Sequence, residues 1–192
     1  GDNLNLTPFP TRRSSDLLAD REERAAFPGM VFPRLERGQS IGFIKVGSSR
    51  GEHVVVQFTF RDRSGQAYTL REPLEPRETG QLYQLFFREK YPKEISDHDH
   101  QYVLIDEQGK IVGGLTYRYI EEQNILLDGI VVTSSLQGKG IASGMMEKFF
   151  ASMAARGVEV VRAHFLFGNY YMKHFFEVDR KWGALIRKLT SG

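Results

Sequence analysis

The chain has 192 residues, of which 41% are hydrophobic and 26% charged, enough for one main domain with a sizeable core. Its 26 Lys and Arg against 24 Asp and Glu leave a formal charge of +2, too balanced for a nucleic-acid binder that works by bulk charge. Cysteine is absent, which excludes disulfide frameworks, thiolate metal sites and cysteine nucleophiles, and no apolar run approaches the ~20 residues of a transmembrane helix. A soluble, cytoplasmic protein without membrane or nucleic-acid partners is expected.

Phe9–Leu17 reads FPTRRSSDL, the same residues as one translated frame of the 3′ part of a widely used sequencing adapter. Residues 1–17 are therefore expected to be an assembly artefact, or else a polar tail, and are set aside from fold reasoning. An artefact would leave the natural start of the chain upstream of Leu18. Residues 18–66 are expected to hold a helix and a small β segment, and 67–192 the main domain.

In chain order, Leu18–Phe27 suits a short helix that Pro28 and Gly29 end. Val54, Val56, Phe58 and Phe60 alternate with polar residues, which predicts a half-buried strand. With Ile41–Val46 and Tyr68–Arg71 it makes a meander, and Arg61, Asp62 and Arg63 read as a solvated turn. Glu75–Lys90 predicts a helix with a stripe of Leu82, Leu85 and Phe86. Tyr102–Ile105 and Ile111–Tyr119 flank a turn with hairpin chemistry. Ile125–Val132 is near-continuously apolar and so central. Ile141 to Ala154 carries the strongest helical pattern, with Gly157 as its stop. Val158–Phe165, a short helix at Asn169–His174, and strands at Phe176–Val178 and Ala184–Leu189 complete the chain.

Chemistry concentrates where the central strand leads through Thr133-Ser134-Ser135-Leu136-Gln137-Gly138-Lys139-Gly140 into the long helix. Glycines at a helix start let backbone approach a ligand, and the unpaired N–H groups there, with the positive end of the helix dipole, favour an anion such as phosphate. Lys139 adds a cation at the rim. A Walker loop fails because Gly140 follows Lys139. A Rossmann fingerprint fails at Ser143, where a third glycine is needed, and Glu159 comes too early for its acidic residue. The pattern Q/R-x-x-G-x-G/A is satisfied by Gln137-x-x-Gly140-x-Ala142.

On that loop and the order of elements around it, from about Tyr68 to Leu189, the sequence resembles the GNAT superfamily of acyl-CoA-dependent N-acyltransferases. The resemblance implies an α/β (mixed α+β sheet) fold whose central strand splays from its neighbour and opens a slot. Coenzyme A would lie there, its diphosphate on the N–H groups of Gln137, Gly138, Lys139, Gly140, Ile141 and Ala142, with Ser143 in the same first turn. Its pantetheine arm would run along the backbone of Ile130, Val131 and Val132. The implied reaction is transfer of an acyl group, acetyl above all, from acetyl-CoA to a small-molecule or peptide amine by direct attack, in a monomer or homodimer. The alternative is a non-catalytic acyl-CoA-sensing module of a longer regulatory chain.

The family often carries Y-x-x-x-G-F after its penultimate strand, with the tyrosine near the thioester sulfur. Tyr171-Met172-Lys173-His174-Phe175-Phe176 matches at Tyr171 and Phe176 but has Phe175 in the glycine's place, and His164 stands where asparagine is frequent. Tyr171 is the expected acid, with Tyr170 as its substitute. A backbone N–H near Val132 is the expected oxyanion donor. Asp128, placed by alternation on the strand face of Ile130 and Val132, is the candidate base, beside the more distant Glu121 and Glu122 or a water chain. His98 and His100 lack an evident third ligand, so no metal is expected; Trp182 reads as packing or as a wall of the acceptor pocket.

Overall fold

The computed structural model describes residues 7–8, 39–48, 51–91, 93–164, 168–181 and 183–189. Phe9–Leu17, the helix expected at Leu18–Phe27, and Trp182 lie outside them. The strands are β1 (Thr7–Pro8), β2 (Ser40–Ser48), β3 (Gly51–Arg61), β4 (Ala67–Arg71), β5 (His100–Asp106), β6 (Ile111–Glu121), β7 (Asn124–Val132), β8 (Val160–Ala163), β9 (Glu177–Asp179) and β10 (Ala184–Lys188). The helices are α1 (Pro76–Arg88), α2 (Ile141–Ala155) and the short α3 (Gly168–Met172).

All described strands join one sheet in the order β1-β2-β3-β4-β5-β6-β7-β8-β10-β9. Neighbours are antiparallel except β7 and β8, which run parallel because α2 carries the chain back across the sheet. The boundary expected at residues 66 and 67 falls inside the β3–β4 hairpin, whose strands pair from Gln57↔Arg71 to Arg61↔Ala67.

The two long helices cover opposite faces. Pro76 opens α1 at a position where its missing N–H is no loss, and Leu82, Leu85 and Phe86, spaced at i, i+3 and i+4, are buried with Val103 and Val131. The bidentate Arg71–Glu78 pair, 2.7 Å at its closer contact, ties α1 to β4. On the other face, Ile141, Met145, Met146, Phe149 and Met153 of α2 pack among Phe60, Tyr102, Leu104, Ile125 and Leu127. A fully buried side chain of this size contributes about 1.5–3 kcal/mol of transfer free energy, so this face dominates the stability of the core. The left-handed Gly157 (φ 81°) ends α2 as the sequence predicts.

Candidate active site

The site begins with a break in strand pairing. β7 pairs with β8 only from Asn124↔Val160 to Leu127↔Ala163, then the two diverge. On its other side β7 stays bonded to β6 as far as Gly113↔Val132, with a register shift in which Thr116 faces Gly129 and Tyr117 faces Leu127. Asp128 is the surplus residue of a β-bulge, a feature that bends and over-twists the strand carrying it. The bulge also resets which residues share a face. Ile125 and Leu127 before it, and Ile130 and Val132 after it, all belong to the α2-side core, whereas Val131 packs with α1. The expected alternation that grouped Asp128 with Ile130 and Val132 therefore does not hold: Ile130 and Val132 line one cavity and Asp128 its neighbour.

The first cavity, of about 570 Å3, lies between the free edge of β7 and the start of α2. After Val132 the chain makes a single 3₁₀ turn, Ser134–Leu136, in the stretch expected as plain loop. The Gln137 amide closes that turn by donating to the Ser134 carbonyl (3.2 Å), so this N–H, expected to face the diphosphate, is already engaged. Gly138 (φ 79°) and Gly140 (φ 82°) then adopt the left-handed conformation that other residues reach only at a cost. The amides of Gly138, Lys139, Gly140, Ile141, Ala142 and Ser143 find no acceptor among the described residues. Six bare donors thus run through the loop and first turn at the positive end of a 15-residue helix.

Neighbouring side chains brace this loop. Gln137 Nε2 donates to the Val132 carbonyl (3.3 Å), while Glu89 accepts from Thr133 Oγ1 and the Ser134 amide (both 3.2 Å). Thr133 N–H bonds back to Val112 (2.9 Å), so by strand alternation the Val132 N–H faces the fork. Ile130, Val131, Val132, Gln137, Gly138, Gly140, Ile141, Ala142 and Ser143 all line the cavity, and Lys139 does not. Tyr170 joins the wall; its buried hydroxyl approaches Ser143 too loosely for a hydrogen bond, and burial pushes it up to about 12.

A second cavity, of about 500 Å3, opens on the other side of the fork and shares only Tyr91 with the first. Its polar floor is a chain of charges. Lys93, whose side chain is 2% exposed, donates to Asp128 (2.7 Å), to Asp99 (2.6 Å) and to the Glu94 carbonyl. The other Asp128 oxygen meets His164 Nε2 at 3.1 Å, with Arg118 at 4.0 Å. Burial raises the Asp128 pKa, but the hydrogen bond and charge of Lys93, with His164 and Arg118 behind them, hold the carboxyl below its usual range.

Tyr171 forms the boundary of this cavity and is 2% exposed. Burial, and then the neighbouring Tyr91 and Tyr170, keep its hydroxyl protonated far above the ordinary phenol range. The Tyr171 hydroxyl faces that of Tyr91, which also faces the Ile130 backbone N–H. A pair of hydroxyls therefore sits at the waist between the two cavities.

Several of these groups escaped the sequence reading. Tyr91, Lys93 and Glu89 lie outside every motif, and His164 registered only as a departure from the family's asparagine. Arg63, read as part of a solvated turn, lines the first cavity. No local signal marks any of them, because each reaches the site through the tertiary fold, from a loop, a turn or a strand end. His100 stacks on Tyr117 at 5.2 Å, and among the described residues no group of three His, Asp or Glu is placed to hold a metal.

A family model described as the Acetyltransferase (GNAT) family matches residues 65–180. Among solved structures, Gcn5 of Tetrahymena is 21% identical over 58% of this chain and 86% of its own, with a TM-score of 0.52. The GNAT domain of PAT from S. lividans is 16% identical over 69% of this chain and 97% of its own, with a TM-score of 0.54. YhbS of Escherichia coli, solved in complex with CoA, is 14% identical over 63% of this chain and 81% of its own, with a TM-score of 0.51. At these identities the likeness is one of fold. No curated protein matches the sequence.

Proposed function

Because the chain belongs to the GNAT acetyltransferase family, we propose that it transfers an acyl group, acetyl above all, from coenzyme A to a primary amine by direct attack. The observation that carries this reading is the set of six amides without an acceptor among the described residues at the head of α2, opposite a central strand that parts from β8 beyond Leu127. The donors suit a diphosphate, and the diverging strand offers backbone to an extended arm. Bound there, acetyl-CoA supplies a thioester carbonyl open to a nucleophile and a thiolate that leaves.

The residues divide the remaining work. The amides of Gly138 to Ser143 hold the diphosphate and fix the depth of the arm. The Val132 N–H is aimed where negative charge develops on the carbonyl oxygen. Tyr171 offers a hydroxyl hydrogen to the departing sulfur. An ordinary thiol has a pKa of about 8.5, so a phenol held above its usual range stabilises the thiolate by a hydrogen bond rather than by full proton transfer.

The acceptor enters from the second cavity. An amine with a lysine-like pKa of about 10.4 is roughly 0.1% neutral at pH 7.4, so it must lose a proton before attack. Asp128, held as an anion by Lys93, is too weak a base for that step and instead orients His164 and draws in the ammonium. With Nε2 donating to Asp128, His164 presents Nδ1 as the acceptor for the proton. Without cysteine, the commonest acyl-enzyme nucleophile is missing, which favours direct transfer.

The test is thiol release from acetyl-CoA over a panel of primary amines, together with calorimetric titration of coenzyme A. Thiol release with at least one amine is expected, and Gly140→Asp should abolish coenzyme A binding because a carboxylate would occupy the anion's place. Tight binding with no release on any amine would replace the enzyme reading with the sensing module. Unchanged affinity in Gly140→Asp would remove the assignment of the loop.

A further inference from the structure

We propose that Arg63, on the turn between β3 and β4, is a second grip on the cofactor's diphosphate, supplied from outside the family-matched segment of residues 65–180. The inference rests on the acyl-CoA reading above and adds to it a side-chain ligand on top of the backbone cradle.

The turn is rigidly built and fastened to the loop it faces. One oxygen of Asp62 accepts from the Ser64 amide (2.8 Å), the Ser64 hydroxyl (2.6 Å) and the Gln66 amide (3.1 Å), and the other accepts from the Tyr68 hydroxyl (3.1 Å). Asp62 is buried, and these bonds hold its carboxyl below the usual range although burial works the other way. Just before the turn, Phe60 lies so close to α2 that a Cβ on Gly144 would stand 2.7 Å from its ring. The Arg63 amide then donates to the Lys139 carbonyl at 3.4 Å, a direct link between turn and loop.

From this anchor the Arg63 side chain crosses above the glycine that opens α2. A Cβ on Gly140 would stand 3.5 Å from Arg63 Nε, nearer than any other non-adjacent side chain or backbone. Charge assigns the ligand. Other arginines nearby have carboxylates: Arg71 pairs with Glu78 at 2.7 Å and Arg61 reaches Glu107 at 4.0 Å. The Arg63 guanidinium has none within that range among the described residues. The acidic residue in this cavity wall is Glu89, whose oxygens already serve Thr133 and Ser134. A planar fork of N–H donors beside six bare amides, with no competing anion among the described residues, fits a group presenting several charged oxygens along one edge. A diphosphate is that group.

Calorimetry with two probes decides the point, because coenzyme A and dephospho-coenzyme A share the diphosphate and only the first carries a 3′-phosphate. Arg63→Ala should weaken both by roughly tenfold, the size expected for one solvent-exposed charge-assisted contact. The salt dependence of binding should become shallower, and Arg63→Lys should restore only part of the affinity. Arg63→Gln, which keeps the aliphatic stem as far as Cδ but removes the charge, serves as the second variant, and an unchanged melting temperature certifies the fold of each. A loss confined to coenzyme A would move Arg63 to the 3′-phosphate and overturn the assignment. Unchanged or tighter binding of both probes would overturn it outright. Failure of the parent protein to bind coenzyme A at all would instead overturn the reading on which the inference rests.

Discussion

At the scale of single residues, Tyr171 shows how surroundings choose a role. A solvent-exposed phenol near a thiolate would be a modest proton donor, but this one is buried beside Tyr91 and stays protonated well beyond the ordinary range. On the proposed reading its contribution is thus a hydrogen bond held ready at the waist between the cavities. Tyr171→Phe is expected to lower kcat about 10- to 100-fold while leaving the Kd for coenzyme A within about twofold, read by thiol release and calorimetry. Equal turnover would reduce Tyr171 to packing. Tyr171 was legible because a short motif with Phe176 singled it out. Asp128 was legible as a carboxylate but not as one locked to Lys93, since that pair joins a loop to a strand far off in sequence. Arg63 was illegible for the same reason: Arg61-Asp62-Arg63 has the composition of a solvated turn, and only sheet order brings it over Gly140.

At the scale of elements, periodicity predicts the two long helices and the strands around them, because each buries a face whose spacing is written locally. Irregularities are not written that way. The bulge at Asp128 falls within a near-continuously apolar run that gives no sign of it, and the turn Ser134–Leu136 looks like loop. The end of α3 is the instructive case. Phe175 occupies the place where the family usually has glycine, and it pays for that with a left-handed backbone, φ 61°. The tight turn survives, with His174 and Phe176 amides both directed at the Tyr171 carbonyl (2.8 and 3.4 Å). The Phe175 ring gains little, being 81% exposed and 5.6 Å from the Arg187 guanidinium. A left-handed non-glycine residue costs roughly 1–2 kcal/mol, part of which glycine returns as unfolded-state entropy. Phe175→Gly is expected to stabilise the protein by about 0.5–1 kcal/mol in urea unfolding. Net destabilisation would mean that the ring's contact with Arg187 outweighs the strain.

At the scale of the molecule, charged groups couple distant elements and set an acid limit on stability. Asp62, Glu78 and Asp128 sit on different elements; burial alone would raise each, yet bonds from Ser64, Arg71 and Lys93 respectively hold all three low. His174 is pushed down by burial and then by Arg187 and Lys173, so the folded state prefers it neutral. In every case the unfolded chain binds protons more readily, and stability therefore rises with pH across the titration. Acidification should weaken the fold in two stages, first below about pH 6.5 as His174 is forced to charge, then below about pH 4 as the carboxylates protonate. Denaturant midpoints from pH 3 to 8 test this, and His174→Gln should erase the upper stage alone. Within the segment expected at 18–66, β2 and β3 pair into the same sheet as the later strands, a continuity that composition does not announce. One consequence concerns how such a molecule can diversify. The two cavities share only Tyr91 in their walls and otherwise use different residues. On the proposed reading, substitutions at 94–96 or 118 would retune which amine is taken without touching the cradle that handles the donor. A lineage is free to explore new clients while its energy source stays the same.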